Sequence, residues 1–276
     1  MILSAKPYVE WKMRDLQERL SHCTKVPLLA IIQVAGNKAS DKYVQNKIRR
    51  CQEIGIPAEL YYYEADVEYS TLVDKIDELN KDDRVTGILV QLPLPEHLDA
   101  DFLINFIDPK KDVDGLTSEN IGKLAQGWYC NIPCTPKGVM ELLAFYKIDI
   151  EGKDVLIINR SNLVGKPLAQ LFLNRNATVT IAHSKTEKLY DKIEKADIVV
   201  TGVGIPNFLE KHNFTNDTTI IDISINFDEN GKMCGDLCKD DYDLLATRCN
   251  LTPVPGGVGQ TTVMALLDTL VELIEW

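Results

Sequence analysis

Residues 154–173 read DVLIINRSNLVGKPLAQLFL, and the fold class follows from them. The run Asp154–Asn159 is short, apolar and rich in Ile and Val, so it is expected to be a buried strand. Lys166–Leu173 has the length and composition of a helix. The turn between them, Asn159-Arg160-Ser161-Asn162-Leu163-Val164-Gly165, is polar. A strand, a polar turn and a helix N-terminus form a place where a pyrophosphate can rest on free backbone amides and the helix dipole. The turn lacks the Gly-x-Gly-x-x-Gly pattern; only Gly165 stands where backbone and phosphate could approach, and an ordinary strand–helix turn is the competing reading.

The same alternation extends in both directions. Downstream, strands are expected at Ala177–Ala182, Asp197–Thr201 and Thr218–Ile223. Upstream, Val26–Val34, Ala58–Tyr63 and Val85–Gln91 read as strands, with helices at Lys42–Ile54 (ended by Gly55), Ser70–Leu79 and Asp99–Ile107. A Pro-rich connection, Ile132–Pro136, separates the two series. Strand–helix alternation with short connections implies parallel sheets. The expectation is an α/β protein of two domains, the C-terminal one Rossmann-like. The final segment, Thr262–Trp276, reads as an amphipathic helix following the turn-rich Pro253–Gly259. If that helix returns to the first domain, residues 1–139 with 260–276 form one domain and 140–259 the other. Two connections then cross between them, which makes a cleft and permits hinge closure.

Length and composition agree. A chain of 276 residues, 45% hydrophobic and 26% charged, can bury two cores. Its net charge of −11 argues against nucleic acid or an anionic membrane as partner, since both call for clustered Lys and Arg. No apolar run reaches the roughly 18 residues of a membrane span, and the N-terminus does not look like a signal peptide. The seven cysteines are scattered. Cys130/Cys134 and Cys234/Cys238 are spaced more widely than most structural zinc pairs, so reduced thiols in a cytosolic protein are expected, with no metal.

The second strand of the C-terminal series indicates which dinucleotide fits. NAD sites commonly place Asp or Glu at its end, to hold the ribose 2′-hydroxyl. Here that end reads Ala182-His183-Ser184-Lys185-Thr186, with no acid. Ser184 can hydrogen-bond a 2′-phosphate, and Arg160 or Lys185 can neutralise it, so the expected cofactor is NADP. His183 is read as cofactor-side packing, because no nucleophile motif lies near it. Gly202-Val203-Gly204-Ile205-Pro206 follows a strand and is expected either to pass close to the nicotinamide ribose or to be a simple turn.

In the N-terminal half, Tyr43 and Lys47 are four residues apart and would share a helix face. A ring beside an amine suits a flat ligand with a proton to move; a surface helix with a snorkelling lysine is the bland alternative. Gln91-Leu92-Pro93-Leu94-Pro95 lies at a strand end, and Asp108–Leu116 sets Asp114 in a turn. With Pro133–Gly138 and Pro253–Gly259, these motifs, in this order and spacing from about Val34 to the C-terminal helix, closely resemble the bifunctional methylenetetrahydrofolate dehydrogenase/methenyltetrahydrofolate cyclohydrolase family. Short-chain dehydrogenases also carry Tyr-x-x-x-Lys, but there the pair follows the nucleotide site, whereas here it precedes it by more than a hundred residues.

The resemblance implies NADP-dependent oxidation of 5,10-methylenetetrahydrofolate and hydrolysis of the methenyl product to 10-formyltetrahydrofolate, in a homodimer. It implies that Tyr43 stacks on the folate ring, Lys47 is the catalytic amine, Gln91 is its partner, and Asp114 clamps the pterin N–H donors. Pro255, Gly256 and Gly257 would wall the substrate site. Arg160, Ser161, Gly165, Ser184, Lys185, Gly204 and Ile225 would hold the cofactor. Hydride loss is driven by nitrogen lone pairs and needs mainly alignment; water attack on the methenyl cation needs a proton acceptor. A free lysine titrates at about 10.4, and burial with an adjacent cation lowers that value. The chain departs from the family at Ala35, Asn159 and Ser224, where glycine is common, and at Gln260-Thr261. Asn tolerates left-handed backbone, so the turn at Asn159 can persist. The alternatives are a dehydrogenase without the hydrolase step and a non-catalytic NADP-binding module.

Overall fold

A computed structural model describes residues 1–215 and 217–275, without the side chains of Lys38 and Ala39. The chain divides into two compact units. The first comprises Lys12–Cys134 and the residues from Val263 onward; the second comprises Met1–Trp11 and Thr135–Thr262. Among the described residues no helix is long and apolar enough to cross a membrane.

The elements of the first unit begin with α1 (Ala5–His22), whose first residues belong to the second unit. They continue with β1 (Leu29–Val34), α2 (Lys38–Glu53), β2 (Ala58–Tyr63), α3 (Tyr69–Lys81), β3 (Gly87–Val90), α4 (Ala100–Asn105) and α5 (Ser118–Ala125). The strands pair in parallel in the order β2-β1-β3. Every residue of β1 and β3 is buried, as expected of parallel strands covered on both faces. Leu72, Ile76 and Leu79 of α3, spaced four and three apart, pack with Ile32, Ile88 and Val90 in one apolar cluster.

The second unit contains α6 (Cys134–Phe145), β4 (Asp154–Ile158), α7 (Gly165–Leu173), β5 (Thr178–Ala182), α8 (Leu189–Lys195), β6 (Ile198–Thr201), β7 (Thr219–Asp222), the short pair β8 (Asn226–Phe227) and β9 (Met233–Cys234), α9 (Tyr242–Ala246), β10 (Asn250–Leu251) and the start of α10 (Val258–Glu272). Its parallel sheet runs β10-β7-β6-β4-β5. From β4 the chain goes to β5 on one side and then crosses back to β6 on the other. The C-terminal ends of β4 and β6 therefore flank a topological switch point, where such sheets bind ligands. Leu156, Ile158, Val199 and Ile220 form the core with Leu209, Leu237 and Leu245.

Four departures from the expected elements stand out. Ala5–His22 is helical, although Pro7 stands near its start; α6 likewise begins inside the stretch expected to be a Pro-rich connection, with Pro136 in its first turn. Proline is tolerated there because the first-turn amides lack intrahelical acceptors. The last helix starts at Val258, not Thr262, so it absorbs the end of the glycine-rich stretch; Val258 and Thr261 are buried. The expected strand Val26–Val34 starts only at Leu29, Val26 being exposed. The residues before α1 carry no sequence signal for an element, yet Leu3 N donates to Leu251 O at 2.7 Å, beside the edge strand β10. Trp276, the end of the expected last helix, lies outside the described residues.

Candidate functional site

In the first unit the site grows from α2. Lys47 is 8% exposed, and its Nζ donates to Gln91 Oε1 at 2.9 Å. No carboxylate forms an ion pair with Lys47 among the described residues. Tyr43, one turn earlier on the same face, is half-buried, and burial pushes its phenol pKa up. Gln91 directly follows β3. Its backbone N donates to Ile32 O on β1 at 2.9 Å and its Nε2 to Leu92 O at 2.6 Å, which aims Oε1 at the lysine. Ser40 Oγ donates to Leu92 O at 3.3 Å, tying the start of α2 to the same loop.

Asp114 stands on a loop clamped against β3. Ile88 N donates to Lys111 O at 2.7 Å, and Asp112 bridges to Ile88. The buried Asp112 carboxylate accepts Thr117 N at 2.8 Å and Asn120 Nδ2 at 2.9 Å, while Asn131 Nδ2 donates to Asp112 O at 2.9 Å. Burial pushes the Asp112 carboxyl pKa up. Gly115 has φ +65°, and a Cβ there would lie 2.6 Å from Asn131 O. Asp114 itself is half-buried, and among the described residues no hydrogen bond reaches its carboxylate.

In the second unit the register pairs Ile158 with Ala182. Arg160 and Ser184, each two residues further on, leave neighbouring strands at one edge, with Lys185 next; all three are exposed. The set is basic and hydroxylic with no acid, as a 2′-phosphate requires. Gly165 opens α7, where a Cβ would collide with the Asn159 carbonyl. His183 Nδ1 accepts Lys185 N at 3.1 Å, an interaction that shapes the same turn. Gly204 and Ile225 are exposed beyond β6 and β7. Pro255, Gly256 and Gly257 also belong to this unit, with Gly256 at φ +107°.

One expectation needs correction. The amides of the Asn159–Gly165 turn are not all free for phosphate. Asn159 Oδ1 accepts Ser161 N at 2.9 Å, Ser161 Oγ at 2.8 Å and Gly165 N at 3.1 Å, and Ser161 Oγ accepts Val164 N at 3.1 Å. Nor is Asn159 left-handed; it keeps ordinary backbone, and its side chain does the shaping. The Ser161, Val164 and Gly165 amides are thus already engaged by side chains of the turn itself. The reading from sequence also missed Gln33 and Asp41. Gln33, 2% exposed on β1, donates Nε2 to Asp41 Oδ1 on α2 at 2.7 Å and so holds the helix that carries Tyr43 and Lys47. A polar residue inside an apolar strand was the available signal.

Comparison with known proteins sets these groups in context. The family models described as tetrahydrofolate dehydrogenase/cyclohydrolase, catalytic domain and NAD(P)-binding domain match residues 3–114 and 133–276. The bifunctional protein FolD of Campylobacter hominis is 44% identical over 98% of this chain and 94% of its own. The crystal structure of the bifunctional dehydrogenase/cyclohydrolase of Campylobacter jejuni superposes with a TM-score of 0.95 at 38% identity, covering 100% of this chain and 98% of that one. The Trypanosoma brucei enzyme, solved with NADP and an inhibitor, gives 0.92 at 30% identity, covering 100% and 97%. Motif order, fold and identity over nearly the whole length together show that the chain belongs to the tetrahydrofolate dehydrogenase/cyclohydrolase family.

Proposed function

We propose that this protein oxidises 5,10-methylenetetrahydrofolate with NADP and hydrolyses the resulting methenyl group to 10-formyltetrahydrofolate. The observation that carries the reading is the buried Lys47 amine, held by the neutral Gln91 amide oxygen with no carboxylate among the described residues ion-paired to it. An amine so placed keeps its remaining positions for a substrate.

Residues of the first unit handle the folate. Tyr43 supplies an apolar ring face, and Asp114 takes the pterin N–H donors in its loop. Hydride departure needs no base from the chain, because the two nitrogens flanking the methylene carbon stabilise the cation as it forms. In the second step Lys47 accepts a proton from the attacking water, and Gln91 Oε1 orients the amine without adding charge. Bound NADP supplies the hydride acceptor. Arg160, Ser161, Ser184 and Lys185 would hold its phosphates, and Gly204 and Ile225 would flank its nicotinamide end. In functional terms, residues 1–139 with 260–276 serve the folate and 140–259 the cofactor, Pro255–Gly257 walling the substrate. A cytoplasmic homodimer is the working assembly.

Incubating the protein with NADP and methylenetetrahydrofolate should reduce NADP, and the methenyl absorbance should then decay. NADP reduction without that decay indicates a dehydrogenase only. The absence of both, with NADP bound, indicates a silent binding module.

A further inference from the structure

We infer that Asp236 is a positioning residue for the dinucleotide, holding the Gly202–Ile205 loop in the form that borders the switch point between β4 and β6. The inference rests on the NADP reading of the second unit.

Asp236 is fully buried and lies more than thirty residues after the loop it holds. Its carboxylate accepts three consecutive loop amides: Val203 N at 2.7 Å, Gly204 N at 3.0 Å and Ile205 N at 3.0 Å. It also accepts Thr201 Oγ1 at 2.8 Å and Asn226 Nδ2 at 3.1 Å. Five donors, three of them consecutive backbone amides, form a nest of the kind that captures anions, here filled by the chain's own carboxylate. A carboxylate offers about four lone-pair sites, so the demand on it is saturated.

Neighbouring strands add further ties. Ser224 Oγ, just after β7, accepts Gly204 N at 3.2 Å, and Asn159 Nδ2, just after β4, donates to Gly202 O at 2.6 Å. Gly202 has little room, since a Cβ would lie 2.7 Å from the Ile223 side chain. Gly204 takes φ +80°, which favours glycine. Despite this restraint the loop surface is open: Ile205 is 51% exposed and Ile225 41%.

The physical argument is one of cost. An exposed connection is ordinarily mobile, and burying a carboxylate is unfavourable unless every oxygen is satisfied. A simple turn between β6 and the next element has no need of a buried charge. A loop that must meet a ligand in one conformation does, because order established on folding is not paid for again on binding. The loop also lies at the sheet edge where dinucleotides bind.

The test is NADP titration of the intact protein by protein fluorescence, together with both activities, for Asp236→Asn and Thr201→Val. Asp236→Asn keeps the volume but turns an NH2 group toward loop amides. It should weaken NADP binding about tenfold, the scale of one hydrogen bond to a charged group. Cofactor-free hydrolysis of preformed methenyltetrahydrofolate should change less than about twofold. Thr201→Val removes one donor and should weaken NADP binding in the same direction, by less. Unchanged NADP affinity in Asp236→Asn, or equal loss of both activities with affinity retained, overturns the inference. Should Asp236→Asn fail to fold, an unchanged NADP affinity in Thr201→Val overturns it. A parent protein that binds NADP but turns over no folate would refute the proposed activity, while the comparison of affinities would still decide the role of Asp236.

Discussion

Lys47 and Asp222 show how differently single buried ionisable groups act in this molecule. Lys47→Met keeps an unbranched apolar side chain and removes the amine that Gln91 holds. Methenyl hydrolysis should fall by about 10²–10⁴-fold, the usual worth of a positioned base, while hydride transfer falls much less. Decay of methenyl absorbance and NADP reduction, assayed separately, check this; equal hydrolysis by variant and parent would remove the lysine from the mechanism. Asp222 lies at the end of β7, accepting Ser224 N at 3.0 Å and Leu237 N at 2.8 Å. Burial pushes its carboxyl pKa up from 3.8 to about 7, and the nearby Asp236 pushes the same way. A pKa raised on folding means the folded state holds the proton more tightly. Its contribution to stability is therefore full below about pH 4 and is lost as pH rises through about 7, with a slope of at most about 1.4 kcal/mol per pH unit. The stability of the parent minus that of Asp222→Asn should fall over that window in thermal unfolding at a series of pH values. A flat difference would show that Asp222 does not titrate there. Of these residues, Tyr43 and Lys47 were legible as a helical i, i+4 pair, whereas Asp222 and Asp236 looked like two more acids in an acidic chain. Apart from Ser224 N, their donors come from residues distant in sequence, and no local pattern announces such a meeting.

At the scale of elements, sequence periodicity served strands better than helices. β2 and β5 were anticipated closely, because a short apolar run bounded by turn residues has few other solutions. α6 begins in a stretch read as a connection because proline suggests a break, and here Pro136 stands where a helix accepts it, while residues 5–22 of α1 were assigned no element. The loop carrying Asp114 was recognisable as a turn, but its rigidity comes from Asp112, Asn120 and Asn131, whose bonds cross from 8 to 22 residues. That rigidity can be tested at Gly115. Alanine there meets both a positive φ and backbone atoms of Asn131 and Ile132 at 2.6 Å, which cannot give way as a flexible side chain could. Gly115→Ala should cost about 1–3 kcal/mol of stability and raise KM for methylenetetrahydrofolate. NADP affinity, which belongs to the other unit, should stay unchanged. Urea unfolding and cofactor titration check the two halves; a lower NADP affinity would indicate general unfolding instead of a displaced Asp114.

For the whole molecule, α1 and α10 matter because each contributes residues to both units. Within the first unit Asp268 of α10 pairs with Lys12 at 2.7 Å and Arg19 at 2.6 Å of α1, and Arg19 reaches on to Glu275 at 2.7 Å. Lys12 and Asp268 are nearly inaccessible, so removing one leaves the other buried with less compensation. Asp268→Ala should destabilise the protein by about 3 kcal/mol in urea unfolding. Lys81→Ala, which breaks an exposed pair with Asp77, should cost less than about 1 kcal/mol. Comparable values for the two would mean that burial adds nothing to the α1–α10 pair. The alternation of apolar runs with helical segments was enough to specify a parallel α/β protein in two parts, since strand and helix periods are local properties of the chain. The acid-free end of β5 likewise points to a cofactor that carries a 2′-phosphate, because the charge required opposite a phosphate depends on residue type alone. Folding was needed to join Lys47 to Gln91, to occupy the turn amides with Asn159, and to gather five donors around Asp236. Each of these depends on which hydrogen-bond donor finds which acceptor across tens of residues, and only the packed sheet edges select among the many pairings the chain could make.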